Sequence, residues 1–352
     1  MKMKWMLALM CAALMVVAAG CGKDAAPQSD KMRVVATVFP VADVVKKVGG
    51  DLVDVHLLVP PGAEPHDWEP TVSDRKEIGQ AKVFFYNGAG LEPMEQLLTP
   101  EVLGNAKAVE LSQGLKLRVP TAHEDHDHDG HHHDDADAHD EDGHHHDDAD
   151  AHHDDDHDHD HEGTVEHAHE HEHGHHHHHH GGVDPHVWLD PHNVMHQVDT
   201  VVAALSEADP SHTATYRANG EAYKKELAQL DADFAQALAQ RSNRTLLVTH
   251  AAFGYLADRY GLEQIAIMGI DADAEPTPER MADLIEAVRT HDIKVIYTEE
   301  LISPKLAQAI ARETGAQVRM LNPIEGLTAA QEKAGADYLS LQRENLAALT
   351  AN

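Results

Sequence analysis

The sequence predicts an α/β protein: two lobes of parallel β-sheet flanked by helices and joined by one long linking helix. Three observations predict this. From Met32 onward, short apolar runs alternate with helical stretches, the pattern of parallel β/α units. A second alternating series begins near residue 245, and between the two lies a continuous stretch rich in Ala, Glu, Gln, Leu and Lys over 211–241. With Gly220 as its only interior breaker, that stretch can form one helix about 45 Å long, enough to span both lobes.

Taken in order, strands are expected at 33–39, 53–59, 83–86 and 108–111, with helices near 41–48, 72–80 and 91–98. Residues 191–208 are helical in period. In the second series, strands are expected at 246–249, 264–268, 294–298 and 318–321. Thr277-Pro278 and Ser303-Pro304 each read as an N-cap followed by Pro at the first helical position, opening helices near 278–290 and 304–314. A last helix over 329–349 closes the chain. The expected organisation is a signal peptide at 1–20, a tether at 21–31, an N-terminal lobe at 32–210, the linking helix at 211–241 and a C-terminal lobe at 242–352.

Charge and histidine set the chemistry. Of 352 residues, 27 are Lys or Arg, 61 are Asp or Glu and 33 are His, a formal balance of -34 with His neutral. Such a surface repels phosphates, which excludes nucleic-acid binding as a default, and attracts cations. Residues 123–180 hold 25 of the His and 22 of the carboxylates, with no Lys or Arg. This tract contains a duplication at an offset of 13 residues, in which His131, His132 and His133 recur as His144, His145 and His146. It has too few large apolar side chains to bury a core and is expected to be a disordered, metal-binding loop. Its run His175, His176, His177, His178, His179 and His180 resembles a purification tag but is continuous with the His/Asp repeats. Two matches to HExxH, at 169–173 and 171–175, carry little weight, because that motif needs a fixed helix to align its ligands.

Lys2 and Lys4 followed by a nearly uncharged apolar stretch over 5–19 read as a secretion signal, too short for an ordinary spanning helix. The sequence Ala18-Ala19-Gly20-Cys21 resembles a bacterial lipobox, in which Cys21 takes the lipid and becomes the first mature residue. The chain is therefore expected outside the cytoplasm, anchored to the cell membrane through Cys21. Cys11 would leave with the signal, so no disulfide is expected.

Three His outside the tract stand at breaks after expected elements. His66 lies in Glu64-Pro65-His66-Asp67-Trp68, His186 in Pro185-His186-Val187-Trp188-Leu189-Asp190, and His250 follows the strand near 246–249. Ligands of open α/β sheets collect at the carboxyl ends of strands. The first two share Pro-His-x-Trp, in which Pro stiffens the approach and Trp can wall the site from water. His56, His192, His196, His212 and His291 lack such context and read as surface or structural residues.

On these residues the chain resembles the substrate-binding lipoproteins of high-affinity zinc-uptake ABC transporters, the ZnuA/AdcA type of metal-binding receptor. The signatures are Gly62-x-Glu64-Pro65-His66-x-Trp68-Glu69-Pro70, Asp184-Pro185-His186-x-Trp188-Leu189-Asp190-Pro191, Thr249-His250-x-Ala252-Phe253-Gly254-Tyr255 and Leu321-x-Pro323-x-Glu325-Gly326-Leu327-Thr328. The resemblance implies that His66, His186 and His250 coordinate Zn(2+), with Glu325 as fourth ligand and Glu64 as the alternative. Trp68, Trp188 and Asp190 would support the ligands or wall the cleft, and Glu299 and Glu300 would support ligands or cap a helix. It further implies a zinc ion as cargo, an ABC permease with its cytoplasmic ATPase as partner, and no enzymatic activity. A monomer is expected.

Three imidazoles and one carboxylate suit tetrahedral zinc, whereas a manganese receptor of the same superfamily would carry an acidic ligand in place of His250. The rival readings are a manganese or other divalent-metal receptor, an adhesin-type lipoprotein, and a zinc hydrolase, which would need a metal-bound water and a nearby general base.

Overall fold

The structure, a computed structural model, describes residues 31–120, 182–270 and 276–351. The expected signal peptide at 1–20, Cys21 and the His residues of the 123–180 tract lie outside the described residues. Among the described residues, no helix is long and apolar enough to cross a membrane.

The first lobe runs β1 (Met32–Ala36), α1 (Phe39–Gly49), β2 (Val53–Leu57), α2 (Val72–Gln80), β3 (Val83–Tyr86), α3 (Met94–Leu97), α4 (Pro100–Leu103) and β4 (Lys107–Glu110). After the tract come α5 (Pro191–Ala208) and the long α6 (Thr213–Leu238). The second lobe follows with β5 (Thr245–Val248), α7 (Gly254–Tyr260), β6 (Glu263–Ala266), α8 (Pro278–Thr290), β7 (Val295–Thr298), α9 (Lys305–Thr314), β8 (Gln317–Met320), α10 (Ala329–Ala334) and α11 (Tyr338–Thr350).

Each lobe holds a four-stranded parallel sheet with the same winding, β2-β1-β3-β4 in the first and β6-β5-β7-β8 in the second. In such sheets the chain turns opposite ways from two adjacent strands, and a crevice opens beyond their carboxyl ends. That crevice lies between β1 and β3 in one lobe and between β5 and β7 in the other.

Central strands are buried on both faces: every residue of β3 and of β5 is buried. One apolar core runs through both lobes, uniting α1, α5 and α6 with Leu246, Val248 and Leu256 of the second lobe. Smaller cores lie under α2 to α4 and under α8 and α9. Helix α6, 26 residues and so about 39 Å long, buries Tyr216, Gly220, Tyr223, Leu227, Leu230, Phe234 and Leu238 along one face, at helical spacing. It packs on α5, α1 and α11, elements from both sides of the cleft.

Several expected elements differ in detail. The expected helix over 91–98 is one turn, Met94–Leu97, because Pro93 opens it and Thr99-Pro100 starts a second turn. Thr277 caps α8 as expected, accepting from the Arg280 amide at 3.2 Å. Ser303 caps nothing: Pro304 itself occupies the N-cap position and α9 starts at Lys305. The single last helix is two, since left-handed Gly335 ends α10 and Asp337 opens α11 through a capping box with Ser340.

A buried polar group joins the back of the molecule. Asp43 on α1 accepts from the Tyr223 hydroxyl of α6 at 3.1 Å, and Lys47 pairs with Asp337, the N-cap of α11, at 2.6 Å. Burial pushes the Asp43 carboxyl up to about 6, although Lys47 opposes the shift. The native state thus holds this proton up to higher pH than the unfolded chain, whose value is 3.8. Stability from this group is present below about 4 and is lost as pH rises through 6, a change of about 3 kcal/mol. Asp43→Asn is therefore expected to flatten the difference in urea stability between pH 4 and pH 7 relative to wild type; an unchanged difference would contradict this account.

Candidate metal centre

Four side chains from separate loops converge between the lobes. One donor atom each from His66, His186, His250 and Glu325 lies within 4.8 Å of all the others. His186 and His250 are fully buried, and only 4% of the His66 side chain and 1% of the Glu325 side chain is exposed.

His66 sits on the loop after β2. Gly62 turns this loop with φ +87°, a conformation that disfavours a side chain, and its amide donates across the cleft to the Leu327 carbonyl at 2.7 Å. His186 precedes a single 3-10 turn, Val187–Leu189, that leads into α5. The Asn87 side-chain amide, just beyond β3, donates to the Pro185 carbonyl at 3.0 Å and so fixes the approach to His186. His250 lies just beyond β5, at the crevice of the second sheet.

Glu325 comes from the loop after β8, on a strained turn. Ile324 before it has φ 60°, a left-handed conformation costly for a β-branched residue. Its amide donates to Asn322 Oδ1 at 2.6 Å, and Asn322 exchanges two 2.7 Å hydrogen bonds with Asn345 of α11. Helix α11 thereby braces the turn that presents the carboxylate.

The donor geometry is compact. Glu325 Oε1 lies 2.8 Å from His186 Nε2, 3.1 Å from His250 Nε2 and 3.6 Å from His66 Nε2. His186 Nε2 lies 3.2 Å from His66 Nε2 and 3.4 Å from His250 Nε2. A tetrahedron of donors about 2.0–2.1 Å from a central ion has edges of about 3.3 Å, so these separations bracket what zinc requires.

The opposite ring nitrogens are tied back. His186 Nδ1 lies 2.8 Å from Asp184 Oδ1, and His250 Nδ1 lies 2.6 Å from Glu299 Oε1, which also accepts from the Thr249 hydroxyl. In a neutral imidazole each Nδ1 then carries the proton and Nε2 turns a lone pair inward. Lone pairs from these rings and a carboxylate aimed at one point suit a cation there.

The surrounding carboxylates draw positive charge to these rings, so in the metal-free site a proton competes with a metal ion for them. Burial opposes charge on His186, but Asp184 and Glu325 outweigh it and raise the imidazole to about 9. Burial likewise opposes charge on His250, yet Glu299 and Glu325 hold it well above its ordinary value. Burial lowers His66, with Glu325 pulling the other way. Against its burial, Glu325 is held well below the usual carboxylate range by His250, His186 and His66.

The remaining sequence-selected residues fall around this cluster. Glu64 is outside the four-donor group: its Oε1 accepts from the His66 amide at 3.4 Å, and burial with the neighbouring Glu325 charge raises it to about 8. Trp188 stands edge-on to His186 at 5.5 Å between ring centroids and donates to the Pro323 carbonyl at 2.8 Å. Trp68 is half-buried, packed against the core that runs through both lobes and against the smaller core under α2 to α4. Asp190 caps α5, accepting from the His192 amide at 2.8 Å. Glu300 accepts from Asn322 and Gln331 beside the Glu325 loop. Sequence reasoning gave no separate role to Asp184, although its place two residues before His186 marked it.

Comparison with known proteins follows the same lines. The family model described as ZnuA, zinc-uptake complex component A, periplasmic, matches residues 34–352. The chain belongs to the ZnuA family. It is similar to the high-affinity zinc uptake system protein ZnuA of Bacillus subtilis, 32% identical over 98% of this chain and 97% of that protein. It is also similar to the zinc-binding protein AdcA of Streptococcus pyogenes, 35% identical over 91% of this chain but only 55% of that protein's length. This ZnuA-family chain thus spans about half the length of that longer relative. Among solved structures, the Zn(II)-bound ZnuA-like domain of Streptococcus pneumoniae AdcA aligns with a TM-score of 0.66 at 30% identity, covering 91% of this chain and 98% of that one.

Proposed function

We propose that the chain is an extracytoplasmic solute-binding protein that captures one zinc ion between its lobes and delivers it to an ABC permease. The observation that carries this reading is the four-donor cluster of His66, His186, His250 and Glu325, with first-lobe and second-lobe loops each supplying two side chains. Four protein donors complete a tetrahedral shell and leave no position for a substrate water, which favours a receptor over a hydrolase. Three imidazoles favour zinc over manganese. The names of the relatives support the same cargo.

In this reading Cys21 carries the lipid that holds the protein at the membrane, and the protein works as a monomer. The 123–180 tract, with its interleaved His and carboxylates, gathers or senses zinc for the cleft. Docking on the permease spreads the lobes, and since each lobe holds two of the four donors, spreading them breaks the shell and frees the ion.

Titration of the protein lacking 123–180 tests this reading. One zinc ion should bind tightly and manganese weakly; tight manganese binding, or loss of the tight zinc site with the tract, would contradict it. Cells carrying the same deletion should take up zinc poorly when zinc is scarce, and unchanged uptake at every zinc level would refute the gathering role.

A further inference from the structure

The two stems of the His-rich tract meet the metal centre at one residue that the zinc reading leaves unused. Arg118 lies just before the tract and Asp184 just after it, and the Asp184 amide donates to the Arg118 carbonyl at 2.8 Å. The Arg118 guanidinium stands 3.6 Å from Asp184 Oδ2, while Asp184 Oδ1 holds His186 Nδ1. The same guanidinium donates from Nε to Asp258 Oδ2 of α7, in the other lobe, at 3.0 Å. Tyr255 of α7 completes the junction: its hydroxyl accepts from the Arg118 amide and donates to the Asp184 carbonyl, both at 2.9 Å.

Glycine at position 254 is what lets these groups approach. A Cβ there would run into the Arg118 guanidinium and stand 2.7 Å from Asp184 Oδ2. Only 12% of the Arg118 side chain is exposed, so its charge interacts with Asp184 largely away from solvent.

We propose that Arg118 is a positioning residue for the metal centre, a latch that clamps Asp184 against the second lobe and so fixes the His186 imidazole while the lobes are closed. Its partners Asp258 and Tyr255 belong to the second lobe, so the latch forms on closure and opens with it. Its effect falls on zinc retention, and it ties the root of the tract mechanically to the site. The proposal rests on the zinc-receptor reading.

The test is the rate at which the tight site of the full chain gives up zinc to a chelator, with the electronic spectrum of the cobalt(II)-loaded protein as a report on ligand geometry. Residues that support metal-bound His are worth roughly 10- to 100-fold in metal affinity. Acting one step further out, Arg118→Gln is expected to speed release about tenfold and to alter the cobalt spectrum. Arg118→Lys, which keeps the charge without the fork, should fall between it and wild type. Gly254→Ala should act in the same direction as Arg118→Gln. Asp258, whose side chain is 66% exposed, gives a variant that leaves the core alone, and Asp258→Asn should speed release about two- to fivefold. Wild-type protein that takes up no tight zinc would sink the receptor reading itself. Tight wild-type binding, with Arg118→Gln and Asp258→Asn releasing zinc at the wild-type rate and an unchanged cobalt spectrum, would overturn the latch alone.

Discussion

Replacing His250 with alanine will weaken zinc binding by on the order of a hundred- to a thousandfold. Zinc held by four protein ligands in small folded sites is worth roughly 10–16 kcal/mol, so one ligand of four accounts for about 3–4 kcal/mol. His250 Nε2 lies 3.1 Å from Glu325 Oε1 and 3.4 Å from His186 Nε2, at a vertex of the donor cluster. Its loss leaves three donors and one position that water can take. Glu299 also loses the ring it orients, but it keeps the Thr249 hydroxyl as a donor and lies immediately beyond β7, so the fold should persist. Competition against a chelator of known affinity measures the effect. A variant binding zinc as tightly as wild type would show that His250 is not a ligand, and hydrolytic activity lost with this substitution would favour the enzyme reading.

Trp188→Ala will reduce stability by about 3–5 kcal/mol, the range for truncating a large buried aromatic side chain. The ring is among the largest fully buried side chains of the molecule. Its environment joins three parts of the site: the indole N–H donates to Pro323 on the Glu325 loop, the ring edge faces His186, and its carbonyl accepts from the Tyr338 hydroxyl of α11 at 2.6 Å. Truncation leaves a cavity and a buried Pro323 carbonyl without this donor. Zinc affinity should therefore fall together with stability, because the carboxylate loop loses its brace to the first lobe. Trp188→Phe separates the two effects, filling most of the volume while lacking the N–H, and should cost about 1–2 kcal/mol. Urea unfolding of the metal-free protein checks both, and an alanine variant within about 1 kcal/mol of wild type would contradict the packing account.

The architecture was legible because its signals are local. Alternating apolar runs located all eight strands of the described residues, and the polar-apolar period after His212 located α6. Errors arose where two short signals competed. Gly335 and Asp337 divide the last helix, but the apolar period runs across them; Pro304 sits where Ser303 was expected to cap. Helix α7, only seven residues long, is too short to show a period.

The residues expected at the centre could be read from motifs because each His stands beside a Pro, a Trp or a strand end. The supporting shell was harder to read. Glu299 reaches His250 from 49 positions away, and Arg118 meets Asp258 across 140. Such pairs follow from how the two sheets are wound, and nothing in the local sequence around either partner announces them. The braced turn at Ile324 is of the same kind, since its strain is held by Asn345 on a different element.

The most direct test is crystallography of the zinc-loaded protein with anomalous scattering recorded on both sides of the zinc edge. The account predicts one fully occupied ion in the cleft, about 2.0–2.2 Å from Nε2 of His66, His186 and His250 and from a carboxylate oxygen of Glu325. An ion bound elsewhere, or one in the cleft that leaves any of these three imidazoles uncoordinated, would contradict it.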